Sequence, residues 1–186
     1  MIYFDNAATA YPKAPPVEAA VQRAFYEFGG NAGRGGHEMS LRTAEMVYQC
    51  RERAAALFHL SDPTRVVFTA NGTASLNIAL KSLVRHGRVI VSDMEHNAMM
   101  RPLTAAGGRY PVFAVARVGE TADETVANFR RLITRDTVAI ACLHASNVFG
   151  NVLPIATLGA LAREYGLIFL VDAAQTAGIQ IGRAHV

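Results

Sequence analysis

The stretch Leu167–Gly178, "LIFLVDAAQTAG", runs an apolar strand pattern into a single carboxylate, Asp172, followed at once by small residues, Gln175 and Gly178. A carboxylate that ends a buried strand costs several kcal/mol to desolvate unless a cation or strong donors meet it. Asp172 therefore implies a cationic partner, either a ligand or an arginine, or else a capping role for the next element. A second candidate is Asn71-Gly72-Thr73, where "VVFT" meets the helical pattern "SLNIALKSL". Glycine permits a tight turn there, and the first N–H groups of a helix, with the positive end of its dipole behind them, suit an anion. The alternative is an ordinary cap in which Thr73 or Asn71 satisfies those donors. His96, in "SDMEHNAMM", opens another helical pattern and is a candidate for ligand contact or for capping. Asn147 lies in "HASNVFGN".

These residues need a scaffold, and the hydrophobic pattern supplies one. β-branched runs fall at 65–69, 88–92, 111–116, 137–143 and 167–172, with helical periodicity at roughly 40–59, 74–86, 95–106, 122–133 and 154–165. Strands alternating with helices, each strand apolar on both faces, predict an α/β fold with a mostly parallel sheet of at least five strands between two helical layers. In such sheets ligands bind beyond the carboxyl ends of the strands. Gly72, Thr73, His96, Asn147, Asp172 and Gln175 all fall in the segments that follow these strands and are expected there.

Composition narrows the classes. The chain has 186 residues, 51% hydrophobic, with a formal net charge of +3 from dispersed basic residues, so no nucleic-acid footprint is expected. Cys50 and Cys142 lie outside any C-x-x-C or metal-ligand spacing and are expected to be buried hydrophobes; no metal is expected. No apolar run reaches the roughly 18 residues of a membrane span, and no signal peptide precedes the first strand, so a cytoplasmic protein is expected. Neither Gly-Lys-Ser/Thr nor G-x-G-x-x-G occurs, which excludes a Walker loop and a nicotinamide-binding fingerprint.

The ordered segments "YFDNAAT", "GGNAGRGGHEMS", "VVFTANGTASLNIAL", "MEHNAMMRPL", "HASNVFGNVLPI" and "LVDAAQTAG" resemble the class V aminotransferase family, in particular its cysteine desulfurase and selenocysteine lyase branch. The resemblance implies pyridoxal 5′-phosphate (PLP) in the large domain of the aspartate aminotransferase fold, here incomplete. Carried over residue by residue, Gly72 and Thr73 would hold the cofactor phosphate, His96 would stack on the pyridine ring, and Asn147 would lie beside the ring substituents and the substrate. Asp172 would pair with the pyridine nitrogen, and Gln175 would hydrogen-bond the phenolic oxygen. The implied function is release of sulfur or selenium from cysteine or selenocysteine, in a homodimer with a sulfur-acceptor protein as partner. The alternatives are a non-catalytic PLP-binding remnant and a class V aminotransferase of other specificity.

Departures from the family pattern are equally informative. The family's Schiff-base lysine follows a Ser/Thr-Gly-His motif, whereas the only lysines here are Lys13 and Lys81, neither in that setting. Asn-Gly-Thr stands where many relatives have Gly-Ala-Thr or Gly-Thr-Thr. The segment 181–186, "IGRAHV", matches a translated sequencing adapter, so it is expected to be a non-native tail on an N-terminal fragment, a natural end being the alternative. The expected organisation is an N-terminal arm over 1–35, a partial PLP-binding large domain over 36–180 and the tail.

Overall fold

The structure, a computed structural model, describes residues 2–107 and 112–179. The expected tail at 181–186 lies outside the described residues. The chain divides into two compact units, residues 1–67 and 68–186.

The first unit is helical. Helix α1 (Pro15–Glu27) begins on two prolines, whose fixed φ suits a first turn, and it buries no residue. It lies within the stretch expected to be an arm. Helix α2 (Glu38–Leu57) is capped by His37 Nδ1, which accepts from Ser40 N. Ser40 Oγ then donates to Asn31 O at 2.6 Å and Arg34 O at 3.0 Å, fastening the glycine-rich segment to the helix. Gly30 is required by that approach, because a Cβ there would sit 2.5 Å from the Met39 carbonyl. One sequence expectation is corrected here. Cys50 is exposed on α2 and lines a groove against α1 with Ala20, Arg23 and Met46, because α2 buries only Ser40, Thr43 and Ala55.

The second unit contains a four-stranded, wholly parallel sheet, β1 (Arg88–Ser92), β2 (Phe113–Ala116), β3 (Thr137–Leu143) and β4 (Ile168–Asp172), in the order β2-β1-β3-β4. Helices α3 (Gly72–Leu83) and α4 (Asn97–Ala106) cover one face, packing Leu76, Leu80, Met99 and Leu103 on Val89, Val91, Ala139 and Ala141. Helices α5 (Ala122–Arg130) and α6 (Ile155–Glu164) cover the other, packing Phe129, Leu158 and Leu161 on Ile90, Ala114, Ile140 and Cys142. Residues 89, 90 and 91 thus alternate between two dry layers, which is why β1 reads as an unbroken apolar run.

The expected strand at 65–69 does not form, so four strands replace the expected five or more among the described residues. Residues 63–65 make a 3₁₀ turn, and Val67 and Phe68 are 73% and 54% exposed. β-branched residues favour an extended backbone, but a strand exists only where a neighbour completes the ladder, and no described strand does so.

At the start of β1 the backbone of Gly87 closes on the segment entering β3. An added Cβ would lie 2.4 Å from Asp136 O and 2.5 Å from Val138 Cγ1, while Arg88 N donates to Asp136 O at 2.8 Å. Gly87→Ala is expected to lower the stability of this unit by about 1–3 kcal/mol through overpacking. An unchanged urea midpoint would show that the two strands separate there at no cost.

Candidate functional site

Strand order decides where the site lies. From β1 the chain crosses to β2 on one side through α4, and from β3 it crosses to β4 on the other side through α6, on the opposite face. The reversal leaves a crevice beyond the carboxyl ends of β1 and β3, the topological switch point of an open α/β sheet. His96 follows β1, Asn147 follows β3, and Asp172 ends β4 in register with Leu143. In β4, Phe169 and Val171 pack on the α5/α6 layer and Leu170 on the α3/α4 layer, so alternation turns Asp172 toward α3 and α4. His96 caps α4 on that same face.

Asn71, His96 and Asp172 each accept a nearby backbone N–H. Asn71 Oδ1 accepts from Ala74 N at 2.9 Å, capping α3, and Thr69 Oγ1 donates to Asn71 O at 2.9 Å. The cap spends Asn71 and spares Gly72 and Thr73. Neither of their N–H groups, nor Thr73 Oγ1, has a partner among the described residues, and nothing lies within 4 Å of the Cβ position of Gly72. Thr73 and His96 line one open cleft of about 380 Å³ between α3 and α4, together with Asn77, Lys81 and Arg101. His96 Nδ1 accepts from Ala98 N at 3.1 Å, capping α4. Asp172 Oδ1 accepts from Ala174 N at 3.0 Å, and Oδ2 has no hydrogen-bond partner among the described residues. The ion pairs there, Arg23 with Glu27, Arg65 with Asp62 and Arg130 with Glu164, do not involve Asp172.

Asn147, Asp172 and Gln175 are not among the residues that line this cleft. Asn147 is exposed in a turn pinned by Ser146 Oγ, which accepts from Val148 N and Phe149 N. Gln175 is half-buried in the turn after β4. Their two loops are joined underneath by a buried pair, His144 Nδ1 and Thr176 Oγ1, 2.8 Å apart. Burial holds the His144 imidazole below the usual histidine range, so it favours the neutral form.

The residue that sequence reasoning missed is Glu95. Its carboxylate reaches across the crevice and accepts from Leu143 N with both oxygens, at 3.1 and 3.0 Å, while Ser92 Oγ and Ser92 N donate to Oε1. Burial is the main reason its carboxyl is pushed up to about 7; the donors from Ser92 and Leu143 oppose that shift, and the negative charge of Asp172 adds to it. Burial together with the Glu95 and Asp172 charges likewise drives the Cys142 thiol upward, which makes it a poor nucleophile. The only signal in the sequence was a carboxylate one residue before a histidine.

The candidate residues thus fall beyond the carboxyl ends of the strands of an open α/β sheet, the place where such sheets bind ligands. The chain belongs to the class V aminotransferase family, whose model matches residues 2–181. It is 30% identical over 179 residues to a probable cysteine desulfurase of Methanothermobacter thermautotrophicus, covering 95% of this chain and 44% of that one. It is 32% identical over 189 residues to cysteine desulfurase IscS of Photobacterium profundum, covering 95% and 45% respectively. The structure of SspA in complex with cysteine superposes with a TM-score of 0.81 at 26% identity, covering 95% of this chain and 51% of that chain. The chain thus spans less than half the length of these curated relatives. No described helix is long and apolar enough to cross a membrane.

Proposed function

We propose that this chain supplies the cofactor pocket of a PLP-dependent cysteine desulfurase. The observation that carries the reading is Asp172, a carboxylate ending an apolar strand, beside a second carboxylate, with no cation opposite it among the described residues. A protonated pyridine nitrogen is the cation such a site fits, and the free donors of Gly72 and Thr73 fit a phosphate. In this reading Gly72 and Thr73 hold the phosphate and His96 covers one ring face. Asp172 keeps the proton on the pyridine nitrogen, Gln175 bonds the phenolic oxygen, and Asn147 borders the substrate. When bound, PLP supplies an electron sink for the negative charge that develops at the Cα of an amino acid. The substrate proposed is cysteine, with selenocysteine as the second choice. A homodimer, a sulfur-acceptor partner and a cytoplasmic setting complete the proposal, as does the division into an arm over 1–35 and a partial large domain over 36–180. Phe25 and Tyr26, 80% and 89% exposed on α1, suit a surface that another chain covers.

One observation favours a second reading, PLP binding without turnover. Neither lysine follows Ser/Thr-Gly-His, and Lys13 Nζ is engaged with Ala10 O at 2.7 Å. PLP titration of the purified chain, followed by absorbance, tests the first point. Saturable binding is expected, with a free-aldehyde spectrum, and Asp172→Asn is expected to weaken it about tenfold or more by removing a charge-assisted hydrogen bond. Unchanged affinity in Asp172→Asn sinks the pocket assignment. Cysteine-dependent sulfide release by the chain with added PLP sinks the second reading.

A further inference from the structure

Glu95 lies between two residues of the proposed pocket without being one of them. Its oxygens bond Leu143 N, 48 positions away, and it is followed immediately by His96, the cap of α4. Leu143 is in turn the register partner of Asp172, and His144 N donates to Asp172 O at 2.9 Å. One side chain therefore couples the end of β1, where His96 begins, to the β3–β4 ledge that carries Asp172. A carboxylate shared by donors on two strands fixes position as well as angle, since bonds from Ser92 on one side and Leu143 on the other leave it little rotational freedom. The cap made by His96 depends on the backbone at 95–96 keeping its extended entry into α4, where His96 has φ −68° and ψ 152°.

We propose that Glu95 is a positioning residue: it bridges the switch-point crevice, holds the His96 imidazole over the ligand site, and sets its spacing from Asp172. This rests on the PLP reading only for the identity of the ligand. The bridge itself is a property of the chain. The groups facing Glu95 are Asp172 from β4, Cys142 and the Leu143 amide from β3, and Ser92 from β1, with no cation among them.

The experiment uses the whole chain with Glu95→Ala and Glu95→Gln, and two measurements: hydrogen exchange at the Ala98 and Leu143 amides, and PLP titration by absorbance. In Glu95→Ala, Ala98 is expected to lose about tenfold in protection, because His96 Nδ1 no longer stays on its amide, and PLP affinity is expected to fall about tenfold. Glu95→Gln keeps an acceptor for Leu143 and a group for Ser92, so it is expected to restore both; it also separates lost positioning from misfolding in the alanine variant. Loss of Ala98 protection in Glu95→Ala without PLP binding to any variant, wild type included, upholds the bridge and ends the cofactor reading. Ala98 protection and PLP affinity that both survive Glu95→Ala overturn the proposal, as does a glutamine variant that folds yet behaves like the alanine one.

Discussion

Phe129→Ala is expected to cost the sheet unit about 3–5 kcal/mol, a large share of the roughly 5–15 kcal/mol by which such domains are stable. Phe129 is 0% exposed and sits on the inner face of α5 in the layer that packs against Ile90, Ile140 and Leu158. Truncation removes the largest fully buried side chain of that layer. The surrounding strands cannot collapse into the space, because β1 and β3 are pressed on their other face by α3 and α4. The loss therefore includes both transfer free energy and the cavity left behind. Val115→Ala on β2 is the natural control, since Val115 is 46% exposed and a surface change of this kind stays within about 0.5 kcal/mol. Urea unfolding followed at the β1 and β3 amides measures both. A Phe129→Ala loss no larger than that of Val115→Ala means that α5 does not pack on the sheet as described.

Both central strands were legible in the sequence to the residue. Arg88–Ser92 and Thr137–Leu143 are apolar on both faces, and a strand covered on both sides leaves an unbroken run that ends where the cover ends. The same reasoning failed at 65–69, where an equally apolar run has no neighbour to pair with. Helix α1 escaped notice because its proline start and glycine-rich exit resemble a loop, and because its Val17, Val21 and Phe25 stripe buries nothing.

The site was legible in part. Asn71, His96 and Asp172 were open to either a capping or a ligand reading, and the structure explains why local sequence could not separate them. Each accepts a nearby backbone N–H with one atom, Oδ1, Nδ1 and Oδ1 respectively, and has a second polar atom that the cap does not use. Capping and ligand contact are compatible at an element's end, so evidence for the first does not count against the second. Glu95 was illegible for a different reason. Its partner Leu143 is a backbone amide on another strand, and no residue type announces such a contact.

The pH dependence of stability sets Glu95 apart from Asp136 and Glu164, whose carboxyls are held below their ordinary values by hydrogen bonds from Thr134 and Arg130. Its folded value of about 7 lies above its ordinary value of 4.5, so between these the folded chain holds a proton that the unfolded chain has released. Stability from this group is fully present below about 4.5 and is lost as the pH rises through about 7. At 1.36 kcal/mol per unit, the loss between pH 5 and pH 8 is about 2–3 kcal/mol. His144 acts in the opposite sense. Burial lowers its value from 6.5, so its contribution is lost as the pH falls below that point. A wild-type profile alone therefore mixes two opposed slopes, and the informative quantity is the difference from Glu95→Gln, in which the His144 contribution cancels. Measured by urea unfolding, that variant is expected to gain about 2–3 kcal/mol on wild type between pH 5 and pH 8, because an amide in the crevice has no charge to desolvate. Parallel curves across this range would mean that Glu95 ionises freely, in contact with water, and is not buried against Ser92 and the Leu143 amide as described.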